Sequence, residues 1–418
     1  MNLLLKSSTC NQQSFIQISG SKSETNRLLL LQALYPNLTL ENTSNSDDSE
    51  VMHKALFDNR QPTSDNQIIN IHHAGTAMRF LTAYFSILEG KEVVLTGSSR
   101  MKERPIKILV DALIQLGADI KYEENEGFPP IRIKGKKLTQ NKVSLSANVS
   151  SQYISALLLI APKLENGLEL TLEGKITSIP YIKMTLSLLN EIGVETSFEK
   201  NIISVKPLVS LSAVEGHNPK FTIESDWSSA SYFYSIIALS DIGTEITLSS
   251  YKENSLQGDS VLAEIYTDFG VETTFHSNNI LLRKTNNCQL SIINCQLNSS
   301  PDIAQTIAVT CFGLGIGCHL TGLHTLKIKE TDRLLALKME LEKLGAQVTI
   351  TDDTLTLKPS STIKENITVK TYQDHRMAMA FAPLALKVPV IIEDAEVVSK
   401  SYPAFWEDLK AIGFKISE

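Results

Sequence analysis

One phrase of apolar and polar positions recurs along this chain: an amphipathic helical run, a glycine, then an alternating β-branched run. It reads VDALIQLGADI around Gly117. It returns as LSLLNEIGVET at Gly193, LAEIYTDFGVET at Gly270, LEKLGAQVTI at Gly345 and WEDLKAIGFKI at Gly413. Leu and Ile at helical spacing predict one buried face, glycine a left-handed end to the helix, and the alternating run a strand. The glycines stand 76, 77, 75 and 68 residues apart. That regularity predicts about six α/β units, each a small sheet with two helices. LLLLQALYPNLTL, with Asn37 in place of glycine, reads as a degenerate sixth copy. Glu41 to Asn70 is polar and reads as a shortened unit with surface loops. Ile307 to Gly317, the most apolar stretch, reads as a buried helix and turn, its Gly313, Gly315 and Gly317 as packing positions.

Composition narrows the partners. The chain has 418 residues, 42% hydrophobic and 20% charged, enough for two or three cores. Its 39 Lys and Arg against 46 Asp and Glu leave a net charge of −7. That excludes a general nucleic-acid or membrane-surface binder, so any anion site must be a local gathering of cations. Five cysteines without a CxxC pair argue against a zinc ribbon or a disulfide framework and predict a reducing cytoplasm. No apolar run reaches the ~18 residues of a membrane span, and the amino terminus lacks a signal-peptide core.

Candidate chemistry lies just ahead of helical runs. In ISGSKSETNRLLLL, Ser21 and Glu24 read as a capping box, with Lys22 in the first turn and Ser23 and Arg27 on one face. A helix amino terminus with a Lys, a Ser and an Arg is a phosphate or carboxylate site. In HHAGTAMRF, Gly75 permits close approach of a ligand to backbone. His72 and His73, consecutive on a strand, would point to opposite faces and make a poor metal pair. In TGSSRMKERP, Arg100, Lys102 and Arg104 precede a helix started by Pro105. Ser150 and Ser151 cap a helix beside Gln152. Lys327, Lys329, Glu330, Asp332 and Arg333 sit at a strand-to-helix turn. Asp374 caps a helix carrying His375 and Arg376. Asp302 follows Pro301, and Lys400 lies in VVSKSYP. Each taken singly is also an ordinary cap or solvated turn.

Together and in this order, GSKSETNR, AGTAMR, RMKERP, SSQY, SIPY, SDWSSASYF, QGD, PDIAQTIA, KETDR, DHRMAMA and SKSYP resemble the 5-enolpyruvylshikimate-3-phosphate synthase family, over residues 20–403. The resemblance implies an α/β (α+β) fold of two similar domains, each of three repeated α/β units in an inside-out barrel. The active site would lie in the cleft between them. By motif position the domains are 1–20 with 227–418, and 21–226, the latter with its first unit shortened. The implied reaction moves the enolpyruvyl group of phosphoenolpyruvate to the 5-hydroxyl of shikimate 3-phosphate and releases phosphate, without metal or organic cofactor. It also implies a cytoplasmic monomer whose partners are those two small molecules.

Residue roles carry over motif by motif. The resemblance gives Lys22, Ser23, Arg27, Ser150, Ser151, Gln152, Ser178, Tyr181, Asp302, Thr325 and Lys329 to shikimate 3-phosphate. It gives Lys22, Gly75, Arg104, Gln152, Arg333, Arg376 and Lys400 to phosphoenolpyruvate. Asp302 would accept the 5-hydroxyl proton, Glu330 would protonate the methylene carbon, and Lys22 would assist. Lys329 and Arg333 should lower the pKa of Glu330, so a donor role requires bound anions and loss of water to raise it. Three positions depart from the usual pattern: His73 and Thr325 stand where Asn is frequent, and Ile179 where Lys is frequent. Gly75 is the residue of members sensitive to the phosphonate glyphosate. The competing readings are the UDP-N-acetylglucosamine enolpyruvyl transferases, whose lid cysteine is missing from Gly97 to Pro105, a non-catalytic metabolite-binding relative, and the RNA 3′-phosphate cyclases.

Overall fold

A computed structural model describes residues 1–6, 9–11, 13–58, 67–146, 150–174, 176, 179–208 and 220–418. The chain forms two compact units. One is Met1–Ser21 with Glu224–Glu418, the other Lys22–Ile223. The crossings therefore fall after Ser21 and after Ile223, the second three residues before the position read from the motifs.

In the unit Lys22–Ile223, one sheet runs in the order Gln67–Asn70, Glu92–Thr96, Ile131–Lys134, Asp119–Tyr122. The first pair is parallel and the other two pairs antiparallel. Gly75–Ser86 and Lys107–Gln115 are its helices. The second sheet repeats this with Lys142–Ser146, Leu168–Glu173, Ile202–Val205 and Thr196–Glu199, and with helices Ser151–Ile160 and Ile179–Glu191. The third is the shortened unit: Thr39–Glu41 parallel to Lys220–Thr222, with helices Lys22–Leu34 and Asp47–Phe57.

The other unit has three four-stranded sheets of the same strand pattern. They are built on Glu245–Ser249, Gly317–Thr321 and Val390–Ile392 as the second strand in each order. Their first helices are Trp227–Leu239, Ala304–Leu314 and His375–Phe381. Leu3–Leu5, from the chain's beginning, completes the sheet of the last repeat between Val390–Ile392 and Ile416–Ser417.

In both units the first helix of each repeat is largely buried, and these helices pack on one another; all but Lys22–Leu34, whose first two turns are polar, are apolar nearly all round. Trp227–Leu239 is buried along its whole length. The sheets lie outside. Gly313 belongs to this packing: a Cβ there would meet Leu239 at 2.7 Å.

The five phrase glycines each end a second helix with φ between 76° and 111°, as their pattern predicts. Asn37 does not join them. The positive-φ residues include Asn42 rather than Asn37, and Lys22–Leu34 is a first helix that stops ahead of Pro36. In the shortened unit the second helix is Asp47–Phe57, and positions 59–66 beyond it lie outside the described residues. The Ser21 capping box also fails. Its N–H donates to Glu224 O (2.7 Å), because the two crossing strands meet there in an antiparallel bridge of Gly20 with Ser225.

Candidate active site

The buried first helices put their amino termini where the polar motifs lie. In the unit Lys22–Ile223 these are Lys22, Gly75 and Ser151. Ser150 caps its helix by accepting from Gln152 N (3.4 Å), and Gln152 Nε2 donates to Thr76 Oγ1 (3.1 Å) on the neighbouring amino terminus. Two of the three ends therefore touch. Lys22 Nζ stands 3.3 Å from Asp48. Asp48 opens the helix Asp47–Phe57 rather than a surface loop, and its side chain is only 13% exposed. Sequence reasoning missed it because its partner is 26 positions away.

Arg27 is 2% exposed. It donates to Thr185 Oγ1 (2.8 Å), Ser23 O (2.7 Å), Ser155 Oγ (3.0 Å) and Tyr181 O (3.4 Å). Its guanidinium also lies over the rings of Phe80 and Tyr181. Arg27 thus ties Lys22–Leu34 to Ile179–Glu191 from beneath, and burial lowers its pKa to about 10, still protonated at neutral pH. Ser178 lies outside the described residues.

Arg104 lies against Gly75: a Cβ added there would sit 2.5 Å from one guanidinium nitrogen. The approach is fixed from behind. Arg79, 3% exposed, donates to Gly75 O (3.1 Å) and Pro105 O (3.0 Å), and Tyr153 Oη donates to the same Pro105 carbonyl (2.6 Å). Arg100 and Lys102 do not join Arg104. They lie on the one-turn helix Ser99–Lys102 and pair outward with Glu103 and Glu124. Pro105 does not start a helix either, since the next begins at Lys107. His72 and His73 sit in a turn after the strand, exposed, His72 with φ 49°.

The other unit gathers the remaining residues around one carboxylate. Asp302, in the short turn ahead of Ala304–Leu314, lies 2.8 Å from Arg333, 3.4 Å from Lys329 and 3.5 Å from Arg376. Burial alone would raise its pKa, but Lys329, Arg376 and Arg333 together hold it well below the usual carboxylate range. Arg333 is 2% exposed and also pairs with Asp374 (2.5 Å) and Glu330 (2.6 Å). Arg376 donates to Asp302 O (3.2 Å) and to Ser228 Oγ (3.2 Å) on Trp227–Leu239. Three helix amino termini are thereby laced together. Lys400 Nζ donates to Gln373 O (2.8 Å). The Thr325 hydroxyl is closed off from solvent and has no hydrogen-bond partner, so in this arrangement it presents nothing to a ligand.

Asp259, of the QGD segment, is a further member. Ser228 Oγ donates to it in a short hydrogen bond. Burial and the Asp302 charge push its pKa up from 3.8 to about 6, against the pull of Arg376 and Ser228. The folded protein then binds this proton more tightly than the unfolded chain, so stability falls as pH rises from about 4 to about 6. A shift of this size corresponds to about 3 kcal/mol. Asp259→Asn is expected to remove that slope. Urea unfolding at pH 4, 5, 6 and 7 checks it: the variant should gain on the parent progressively, and parallel curves would refute the assignment.

The model of the family described as EPSP synthase (3-phosphoshikimate 1-carboxyvinyltransferase) matches residues 37–409. A 3-phosphoshikimate 1-carboxyvinyltransferase of Bacteroides fragilis is 46% identical over 408 residues, covering 96% of this chain and 95% of the relative. One of Haemophilus influenzae is 37% identical over 429 residues, covering 96% of each. Among solved structures, an EPSP synthase of Acinetobacter baumannii superposes with a TM-score of 0.79 over 100% of both chains at 19% identity, a likeness of fold.

Proposed function

The chain belongs to the EPSP synthase (3-phosphoshikimate 1-carboxyvinyltransferase) family, and on that premise we propose that it transfers the enolpyruvyl group of phosphoenolpyruvate to the 5-hydroxyl of shikimate 3-phosphate, releasing phosphate. The observation that carries this reading is the closing of Arg333, Lys329 and Arg376 to within 3.5 Å of Asp302. In a chain of net charge −7, three cations held at one carboxylate supply the local gathering of positive charge that an anionic substrate needs. The two substrates bring roughly −5 to −6 between them.

In this reading Lys22, Ser23, Arg27, Ser150, Ser151, Gln152, Ser178, Tyr181, Asp302 and Lys329 serve shikimate 3-phosphate, while Thr325, its hydroxyl closed off from solvent, is set aside. Lys22, Gly75, Arg104, Gln152, Arg333, Arg376 and Lys400 serve phosphoenolpyruvate. Glu330 delivers a proton to the methylene carbon while the 5-hydroxyl oxygen bonds to the adjacent carbon and gives its proton to Asp302. The methyl group of the adduct then returns a proton as the carbon–oxygen bond to phosphate breaks. A base works best with a pKa near the operating pH, and Asp302 starts far below it. Substrate anions that take over its three cations relieve that depression. The protein works as a monomer in the cytoplasm, with no nucleic acid or membrane as partner. Among the described residues no helix is long and apolar enough to cross a membrane.

Phosphate release from phosphoenolpyruvate tests the reading. Release that requires shikimate 3-phosphate upholds it. Release with UDP-N-acetylglucosamine instead would replace it with the nucleotide-sugar reaction, and no release with retained ligand binding would leave a metabolite-binding protein. Gly75→Ala is a sharper probe. The added Cβ must displace the Arg104 guanidinium, so the KM for phosphoenolpyruvate should rise about tenfold, one charged hydrogen bond's worth, with the KM for shikimate 3-phosphate little changed. Inhibition by glyphosate should weaken in parallel. An unchanged KM would place Arg104 away from phosphoenolpyruvate.

A further inference from the structure

The turn that leads into Asp374 and Arg376 is strained. Tyr372 and Gln373 are consecutive non-glycine residues with φ of 53° and 58°, a conformation side chains resist and surroundings must enforce. The helix Arg333–Lys343 grips this turn at both ends. At one end Arg333 pairs with Asp374. At the other, seven residues and two helical turns on, the Glu340 carboxylate is fully buried. It accepts from Tyr372 Oη (2.6 Å) on one oxygen and from Lys370 N (3.1 Å) on the other, with Lys343 Nζ bridging both (2.8 and 2.7 Å). A phenol donating to a carboxylate makes one of the stronger hydrogen bonds available.

The far side of the turn holds Lys400. Gln373 O accepts from Lys400 Nζ (2.8 Å), and Gln373 Nε2 donates to Asp394 (3.3 Å). Asp394 and Lys400 bound the one short helical segment Ala395–Lys400. Gln373 therefore fastens that segment at both ends, and its carbonyl points at the lysine only while the double left-handed turn persists.

We propose that Glu340 is a positioning residue which, through Tyr372 and the turn it stabilises, sets the Lys400 ammonium in place for phosphoenolpyruvate. Glu340 touches no substrate in this account, and the account rests on the assignment of Lys400 proposed above.

Two readouts separate the inference from that assignment. The first is acetylation of Lys400 by acetic anhydride, followed by mass spectrometry against the exposed Lys358. Tyr372→Phe removes one hydroxyl and is the primary variant; Glu340→Gln is the second. Both should raise Lys400 acetylation several-fold. The second readout is steady-state kinetics. Both variants should raise the KM for phosphoenolpyruvate about tenfold, the worth of one charged hydrogen bond, with kcat and the KM for shikimate 3-phosphate within about twofold. In a Lys400→Ala background Tyr372→Phe should add almost nothing, because its effect passes through Lys400. Unchanged Lys400 acetylation in folded Tyr372→Phe overturns the proposal, as does full additivity with Lys400→Ala. Raised acetylation with no change in KM from Tyr372→Phe or from Lys400→Ala upholds the positioning and removes Lys400 from the phosphoenolpyruvate contacts.

Discussion

Asp302→Asn is expected to lower kcat by about a hundred- to ten-thousand-fold, the range of a general acid–base contribution, while the KM for phosphoenolpyruvate stays level or falls. Asp302 has two parts to play. In the free protein it pairs with Arg333, Lys329 and Arg376; in the reaction proposed above it would take up the hydroxyl proton. Asparagine keeps the shape, removes the base and leaves three cations without their shared countercharge. Anionic substrate no longer competes with the carboxylate, so binding is retained or tightened even as turnover fails. Phosphate release over a range of both substrates measures the split. A kcat within tenfold of the parent would transfer the proton-accepting role elsewhere.

Arg333→Met is expected to cost about 3 to 5 kcal/mol of stability, the consequence of removing one partner from a buried ionic group. The side chain is 2% exposed and serves Asp302, Glu330 and Asp374 together. Without it, three carboxylates share a buried site with only Lys329 and Arg376 to offset them. Burial already raises the pKa of Asp374, with Arg333 as the chief opposing influence, so the variant should take up protons at the cost of stability as pH rises. Arg333→Lys should recover only part of the loss, since a single ammonium nitrogen cannot span the acceptors that three separate guanidinium nitrogens reach. The shift of the urea transition at pH 7 and pH 5 checks this. A loss below 1 kcal/mol would mean that the acids find other partners.

Local physics made much of the fold readable. Gly117, Gly193, Gly270, Gly345 and Gly413 stand out because a left-handed residue after an amphipathic helix is dictated within a few positions of the chain. Asn37 was misread for the same reason. An asparagine after a leucine run imitates that ending, and only the strand order shows Lys22–Leu34 to be a first helix, not a second. Arg100, Lys102 and Arg104 look equivalent in the sequence, yet only Arg104 has Gly75, Arg79 and Tyr153 arranged around its turn. Asp48, Ser228, Asp259 and Glu340 drew no functional reading because each acquires its meaning from a partner 26 or more positions away.

By itself, then, the sequence determined the repeat, the glycine endings of five second helices, the buried helix within Ile307 to Gly317 and the polar residues ahead of the helices. Spacing and capping act between neighbours in the chain. The tertiary structure decided which charges meet: Asp302 with three cations, Lys22 with Asp48, and the strained turn at Tyr372 and Gln373 with Glu340 behind it. Coulombic and hydrogen-bond energies depend on separations of a few ångströms, and only the packing of distant segments sets those.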